Sequence, residues 1–147
     1  KFSEMIGQGG FLEYAQIYSN FYGTPKGPVM KYLEEGSDVI LEIEMQGARQ
    51  VKEMYPEAVL IFVLPPSLEE LRNRLTTRGT ETQEQVNERL STSFEEIKQV
   101  KDYNYFIFNE NNTTTESAKI IEDIIVAEKN KASRYEKAII KKFEEEL

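Results

Sequence analysis

The sequence contains no cysteine and no histidine. The first absence excludes disulfide bridges and thiolate metal centres. The second removes the commonest metal ligand and the usual general base near neutral pH, so any chemistry must run on Glu, Asp, Lys, Arg, Tyr or hydroxyl groups. Long apolar runs are missing too. The longest, residues 59–64, is far too short to span a bilayer, and no secretory leader pattern is visible, so the expected location is cytoplasmic without membrane contact. There is no basic surplus: 26 Asp+Glu stand against 18 Lys+Arg, for a net charge of -8. Nucleic-acid surfaces need a basic footprint, so nucleic acid is not an expected partner. Nor does any G-x-x-x-x-G-K-[ST] run occur. Gly7-Gln8-Gly9-Gly10 is glycine-rich but lies between a short helix and a hairpin, where it reads as a helix end and turn.

What is present describes about one ordinary domain. The 147 residues are 39% hydrophobic and 30% charged, enough to build a core. Residues 2–6 read as a short helix stopped by Gly9-Gly10. Residues 11–22 are aromatic and β-branched around Ser19-Asn20, the pattern of a hairpin. A helix follows Pro25 to about Glu35, with Gly36 as its C-cap. Residues 39–44 read as a strand, and Gln46-Gly47 opens a helix that ends before Pro56. Residues 58–64 form a continuous apolar strand of the kind buried on both faces of a parallel sheet. Ser67-Leu68-Glu69-Glu70 and Thr82-Gln83-Glu84-Gln85 are capping boxes, each opening a helix. Residues 105–108 form a third core strand. From about Glu116 runs an amphipathic helix that bends near residues 130–133. Strand–helix alternation from residue 39 onward implies βαβ units and an α/β fold with a parallel sheet.

Three constellations stand out. Four of the six arginines, Arg72, Arg74, Arg78 and Arg89, fall between residues 72 and 89. Arginine keeps its charge and offers a planar fork of donors that fits phosphate. Arg74 and Arg78 lie one helical turn apart, and Arg89 follows the break at Arg78-Gly79-Thr80. Phosphate binding competes here with ordinary salt bridges to Glu69, Glu70, Glu81 and Glu88. Glu42 and Glu44, two apart on the expected strand, face one side at its carboxyl end, where open α/β sheets bind ligands; solvated edge carboxylates are the alternative. Glu13 sits in the hairpin, with Tyr22 and Thr24 beyond the turn. A carboxylate accepts two parallel hydrogen bonds, which matches the N1–H and 2-amino edge of guanine and clashes with the adenine edge. A Thr24 hydroxyl could donate to guanine O6 and a Tyr22 hydroxyl to a phosphate. Against this stands an amphipathic hairpin with an exposed Glu.

In order along the chain, these segments resemble the guanylate kinase family. Phe11-Leu12-Glu13-Tyr14-Ala15 with Asn20-Phe21-Tyr22-Gly23-Thr24-Pro25 is similar to its GMP-binding hairpin, and Ile40-Leu41-Glu42-Ile43-Glu44-Met45-Gln46-Gly47-Ala48 to its core strand and following turn. Leu64-Pro65-Pro66-Ser67, Arg74-Leu75, Arg78-Gly79-Thr80-Glu81-Thr82 and Asn87-Glu88-Arg89-Leu90 resemble its lid. Ile107-Phe108-Asn109-Glu110 resembles its last core strand. The resemblance implies a partial P-loop nucleoside monophosphate kinase fold, with a GMP-binding subdomain over 1–26 and a kinase core over 27–147 that includes a helical lid at 68–90. It implies ATP and GMP as partners, Mg2+ carried with ATP, and transfer of the γ-phosphoryl group to give ADP and GDP. Glu13, Tyr22, Thr24 and Glu44 would bind GMP, with Arg74, Arg78 and Arg89 catalytic between the phosphates. Arg78 and Asn109 would contact ATP, and none of these residues would ligate metal. Family members begin with a strand, a Walker A loop and GMP-phosphate arginines that have no counterpart in these 147 residues. The expectation is therefore that this chain starts inside the GMP-binding region, does not catalyse transfer by itself, and has its exposed core filled by rearrangement, by a second copy in a homo-oligomer, or by upstream residues. A protein-interaction module of guanylate-kinase-like design is the alternative, and a kinase for another nucleoside monophosphate is a third.

Overall fold

A computed structural model describes residues 2–17, 20–77, 82–110 and 114–147, which fall into two compact units, Lys1–Leu60 and Ile61–Leu147. Among the described residues no helix is long and apolar enough to cross a membrane.

The first unit opens with helix α1 (Phe2–Gly7) and an antiparallel hairpin of β1 (Phe11–Ile17) and β2 (Asn20–Pro25). The hairpin anticipated from its aromatic and β-branched residues is present. Its register shifts between Phe11, opposite Pro25, and Glu13, opposite Thr24. Two steps on β1 thus answer one on β2, a bulge centred on Leu12. Strict alternation would send every second side chain outward. The bulge instead lets Phe11, Leu12 and Glu13 all be buried in succession. The Phe2 ring covers Phe11 at a centroid separation of 4.5 Å. Helix α2 (Lys26–Glu34) ends where Gly36 takes φ 83°, the left-handed conformation that glycine adopts without strain. Helix α3 (Met45–Met54) turns Gly47, Ala48 and Val51 inward, a three-to-four residue spacing that marks one helix face.

Between α2 and α3 the structure corrects the expected strand. Residues 39–44 are not in a sheet. Their side chains do alternate: Val39, Leu41 and Ile43 are half-buried, whereas Ile40, Glu42 and Glu44 are exposed. Alternation requires only an extended backbone; a strand also requires hydrogen-bonded neighbours. Among the described residues the only sheets are two-stranded, β1–β2 and one in the second unit.

The second unit contains β3 (Ile61–Leu64) and β4 (Tyr105–Phe108), paired in parallel. The parallel pairing agrees with the α/β expectation. Burial on both faces does not hold: Leu64 and Ile107 are buried, but Val63 and Phe106 remain 54% and 56% exposed. A strand is covered only as far as its neighbours pack on it, and here each strand has one. Helices α4 (Leu68–Thr77) and α5 (Gln83–Ile97) pack through Leu75, Val86 and Leu90, with Leu71 alongside. Ser67 caps α4, its hydroxyl oxygen accepting from the Glu70 N–H at 3.0 Å. The α5 capping box is complete: the Thr82 hydroxyl accepts from the Gln85 N–H, and the Gln85 side-chain carbonyl accepts from the Thr82 N–H at 2.8 Å. The tail is two helices, α6 (Thr114–Lys129) and α7 (Ala132–Glu144), with the break inside the expected bend.

The tail is fastened by charge. Glu128 on α6 is 7% exposed. Its carboxylate accepts from the Tyr105 hydroxyl at 2.6 Å and from Arg134 Nε at 2.7 Å, so α6, β4 and α7 meet at one acid. The Tyr105 hydrogen bond, then that of Arg134, hold the Glu128 carboxyl down at about 2, against the opposing effect of burial. Hydrogen bonding to the same carboxylate raises the Tyr105 phenol.

Candidate functional site

In the first unit the hairpin brings three predicted residues together. Glu13 and Thr24 are direct cross-strand partners, and Tyr22 lies opposite Ala15, two residues along. Residues two apart on a strand share a face, so Glu13, Thr24 and Tyr22 share one. The Thr24 hydroxyl donates to Glu13 Oε1 at 2.6 Å. Glu13 is 6% exposed, not the surface acid of an ordinary amphipathic hairpin, while Tyr22 is 53% exposed. The site thus has a buried carboxylate at its floor and an exposed phenol on the same face.

Helix α3 forms the other wall. A Cβ placed on Gly47 would collide with the Glu13 carboxylate, so the close approach of helix and acid requires glycine there. Gly47 stands in the first turn of α3, where unpaired backbone N–H groups and the helix dipole favour negative charge. Glu44 is the N-cap residue of the same helix, with extended backbone at φ -78°, ψ 166° and no side-chain cap bond. Its carbonyl accepts from the Ala48 N–H at 2.8 Å. Glu44 therefore sits at a helix start, not at the carboxyl end of a strand. Glu42 and Glu44 fall on one side of the alternating segment, as their spacing implied, and both are exposed, as in the alternative of solvated carboxylates.

Two contributors were not anticipated from the sequence. Gly47 looked like a helix start; that it faces an acid more than thirty residues earlier in the chain is a tertiary fact. Gln50, one turn further along α3, closes on β1. Its Nε2 donates to the Tyr14 carbonyl at 2.8 Å, and its Oε1 accepts from the Tyr14 N–H at 3.2 Å. The spacing of Gly47, Gln50 and Val51 on one helix face was the available signal.

The second unit holds the arginine helices. Arg74 on α4 donates through Nε to Glu70 at 3.0 Å and through Nη2 to the carbonyl of Asn109 at 2.9 Å. The salt-bridge alternative therefore holds for one contact of Arg74, while its second contact ties α4 to the end of β4. The Asn109 N–H in turn donates to the Leu64 carbonyl at 2.8 Å, extending the β3–β4 ladder by a residue. Arg74 and Asn109 are thus brought into contact. Arg72, given no role, joins α4 to α5 through Asn87 at 2.9 Å. Arg89 is an exposed residue of α5. Arg78 and the break at 78–80 lie outside the described residues. No group of three or more acidic side chains among the described residues is placed to hold a metal ion.

Comparison with known proteins gives one answer. The sequence profile of the guanylate kinase family matches residues 1–128. A guanylate kinase of Clostridioides difficile (strain 630) is 65% identical over 147 residues, covering all of this chain and 71% of that protein. A guanylate kinase of Caldanaerobacter subterraneus subsp. tengcongensis is 46% identical over 147 residues and is covered to 70% of its length. Among solved structures, guanylate kinase from Anaplasma phagocytophilum superimposes with a TM-score of 0.70 at 34% identity, over 88% of this chain and 62% of that one. The chain thus spans less than two-thirds of that solved relative.

Proposed function

The chain belongs to the guanylate kinase family, and from that premise we propose that it serves the transfer of the γ-phosphoryl group of ATP to GMP, giving ADP and GDP. The observation that carries the reading is the buried Glu13 carboxylate bonded by Thr24 at 2.6 Å on the face that also bears Tyr22. A threonine hydroxyl has a single proton to give. With the site empty of base, that proton rests on Glu13. When guanine enters, its N1–H and 2-amino group replace the hydroxyl as donors to the carboxylate, and the Thr24 proton is released to turn toward guanine O6. Adenine offers an acceptor where the carboxylate needs a donor, so the exchange fails. Glu44, exposed at the start of α3, supplies a second acceptor for the base, and the Tyr22 hydroxyl donates to the GMP phosphate.

Arg74, Arg78 and Arg89 are assigned to the phosphates. Charge spreads over the transferring phosphoryl oxygens, and catalysis of such transfer is mostly positioning and electrostatic stabilisation. The link from Arg74 to the Asn109 backbone supports pairing these two residues near ATP. Mg2+ accompanies ATP in kinases of this kind, and the described acids form no cluster that would hold it. The chain is read as an incomplete GMP subdomain at 1–26 and a core at 27–147 that carries Glu44 and the arginine helices, working in the cytoplasm. A non-catalytic interaction module is not favoured, because the relatives are named guanylate kinases.

Calorimetric titration tests the base reading. The chain should bind GMP in preference to AMP; equal affinities would overturn it. For transfer, these 147 residues contain no G-x-x-x-x-G-K-[ST] run, so they should form no ADP from ATP, Mg2+ and GMP on their own. Joined behind a relative's ATP-binding loop, they should form ADP only when GMP is supplied.

A further inference from the structure

We propose that Gln50 is a positioning residue for guanine recognition, holding the backbone of Tyr14 and thereby fixing the pitch of Glu13. The proposal rests on the guanine reading of Glu13. Its starting point is that, among the described residues, β1 and β2 pair only with each other. A lone two-stranded hairpin is marginal in water, and its outer edge carries unpaired N–H and C=O groups. Gln50 answers both groups of one edge residue, donating to the Tyr14 carbonyl at 2.8 Å and accepting from its N–H at 3.2 Å. A primary amide presents the same donor–acceptor pair as a neighbouring strand, so Gln50 stands in for a third strand at this one position.

That position matters because the Tyr14 N–H belongs to the peptide unit joining Glu13 to Tyr14. The unit is planar and resists twisting, so restraining its N–H restrains the Glu13 Cα that lies in the same plane. The Tyr14 carbonyl belongs to the next unit, so both peptides around Tyr14 are held. The same helix also meets the other end of Glu13, because Gly47 abuts its carboxylate. Backbone and carboxylate of one acid are therefore referenced to one rigid element. Both amide bonds of Gln50 go to the Tyr14 backbone, so its influence on a base runs through Tyr14.

The test is the ratio of GMP to IMP affinity, since IMP lacks the 2-amino group that a correctly pitched carboxylate would read. Gln50→Met keeps side-chain length and helix propensity and removes both bonds; Gln50→Glu keeps only the acceptor for the Tyr14 N–H. Thermal melts establish that each variant is folded. In Gln50→Met, GMP should bind about three- to tenfold more weakly, the size of one ordinary hydrogen bond, with IMP less affected. Gln50→Glu should fall between it and the parent. A merely structural role would lower both affinities alike. A folded Gln50→Met that keeps the parent's GMP-to-IMP ratio overturns the positioning role alone. A parent chain without preference for GMP overturns the guanine reading, and this role with it.

Discussion

The charges predicted for the site are held in opposite ways in the two units. In the first, the predicted acid is buried at 6% exposure, bonded by a neighbouring strand and abutted by a helix. In the second, the predicted cations ride on helices, and Arg74 keeps a third of its side chain in solvent while sharing itself between Glu70 and a backbone carbonyl. A base edge is small and directional, so its reader gains from being fixed in advance. Phosphates are larger, carry spread charge, and can be met by long side chains that adjust. On the proposed reading, the contrast places base selectivity and charge neutralisation in separately packed parts of one chain.

Several substitutions would break or sharpen that contrast. The largest effect is expected from Glu128→Gln, which should lower stability by about 1.5–3 kcal/mol, the range for hydrogen bonds to a charged group, in denaturant titration, while GMP affinity stays put. This acid also sets an acid response. Its carboxyl sits at about 2 in the fold against 4.5 as the ordinary value. Its contribution is therefore complete above about 4.5 and fades as pH falls toward about 2, because the unfolded chain takes up the proton first. Unfolding midpoints measured across that window should slope less in Glu128→Gln than in the parent.

Next comes Glu13→Gln, for which calorimetry should show GMP binding weakened by about 1–3 kcal/mol, the penalty of leaving a buried donor poorly paired. An unchanged affinity would remove Glu13 from the reading altogether. Thr82→Ala deletes the α5 cap and should reduce stability by about 1 kcal/mol, without altering GMP affinity; a parallel loss of affinity would show that the two units do not divide the work as described. The smallest effect belongs to Tyr22→Phe. Removing one exposed hydroxyl should weaken GMP by about 0.5–1.5 kcal/mol and leave guanosine binding unchanged, since the nucleoside has no phosphate.

Local chemistry was the legible part of this molecule. The Thr82 capping box, the Gly36 helix end, the hairpin and the break between α6 and α7 each depend on residues a few positions apart. So was the grouping of Glu13, Tyr22 and Thr24, because hairpin pairing follows from the turn between them. Residues 39–44 marked the limit: alternation was read correctly, but whether such a segment joins a sheet depends on a partner that the segment does not encode. The same holds for Gly47 against Glu13, Gln50 against Tyr14, and Glu128 between Tyr105 and Arg134. These contacts join residues brought near by the fold, and a polar residue on a helix carries no mark of which distant group it will meet.

The bulge at Leu12 has a consequence in counting. Along a regular strand, sidedness is a matter of odd and even, and Phe11 and Glu13 are both odd while Leu12 between them is also turned inward. One surplus residue thus separates two phases of the same ribbon: upstream of it the aromatic ring that meets Phe2, downstream the acid opposite Thr24. Deleting Leu12 would let one step on β1 answer one on β2, leaving Glu13 opposite Thr24 and Phe11 opposite Pro25 in an unbroken register. A change of length by one would then straighten the ribbon and take away one buried side chain, with the pairing of the predicted acid unchanged.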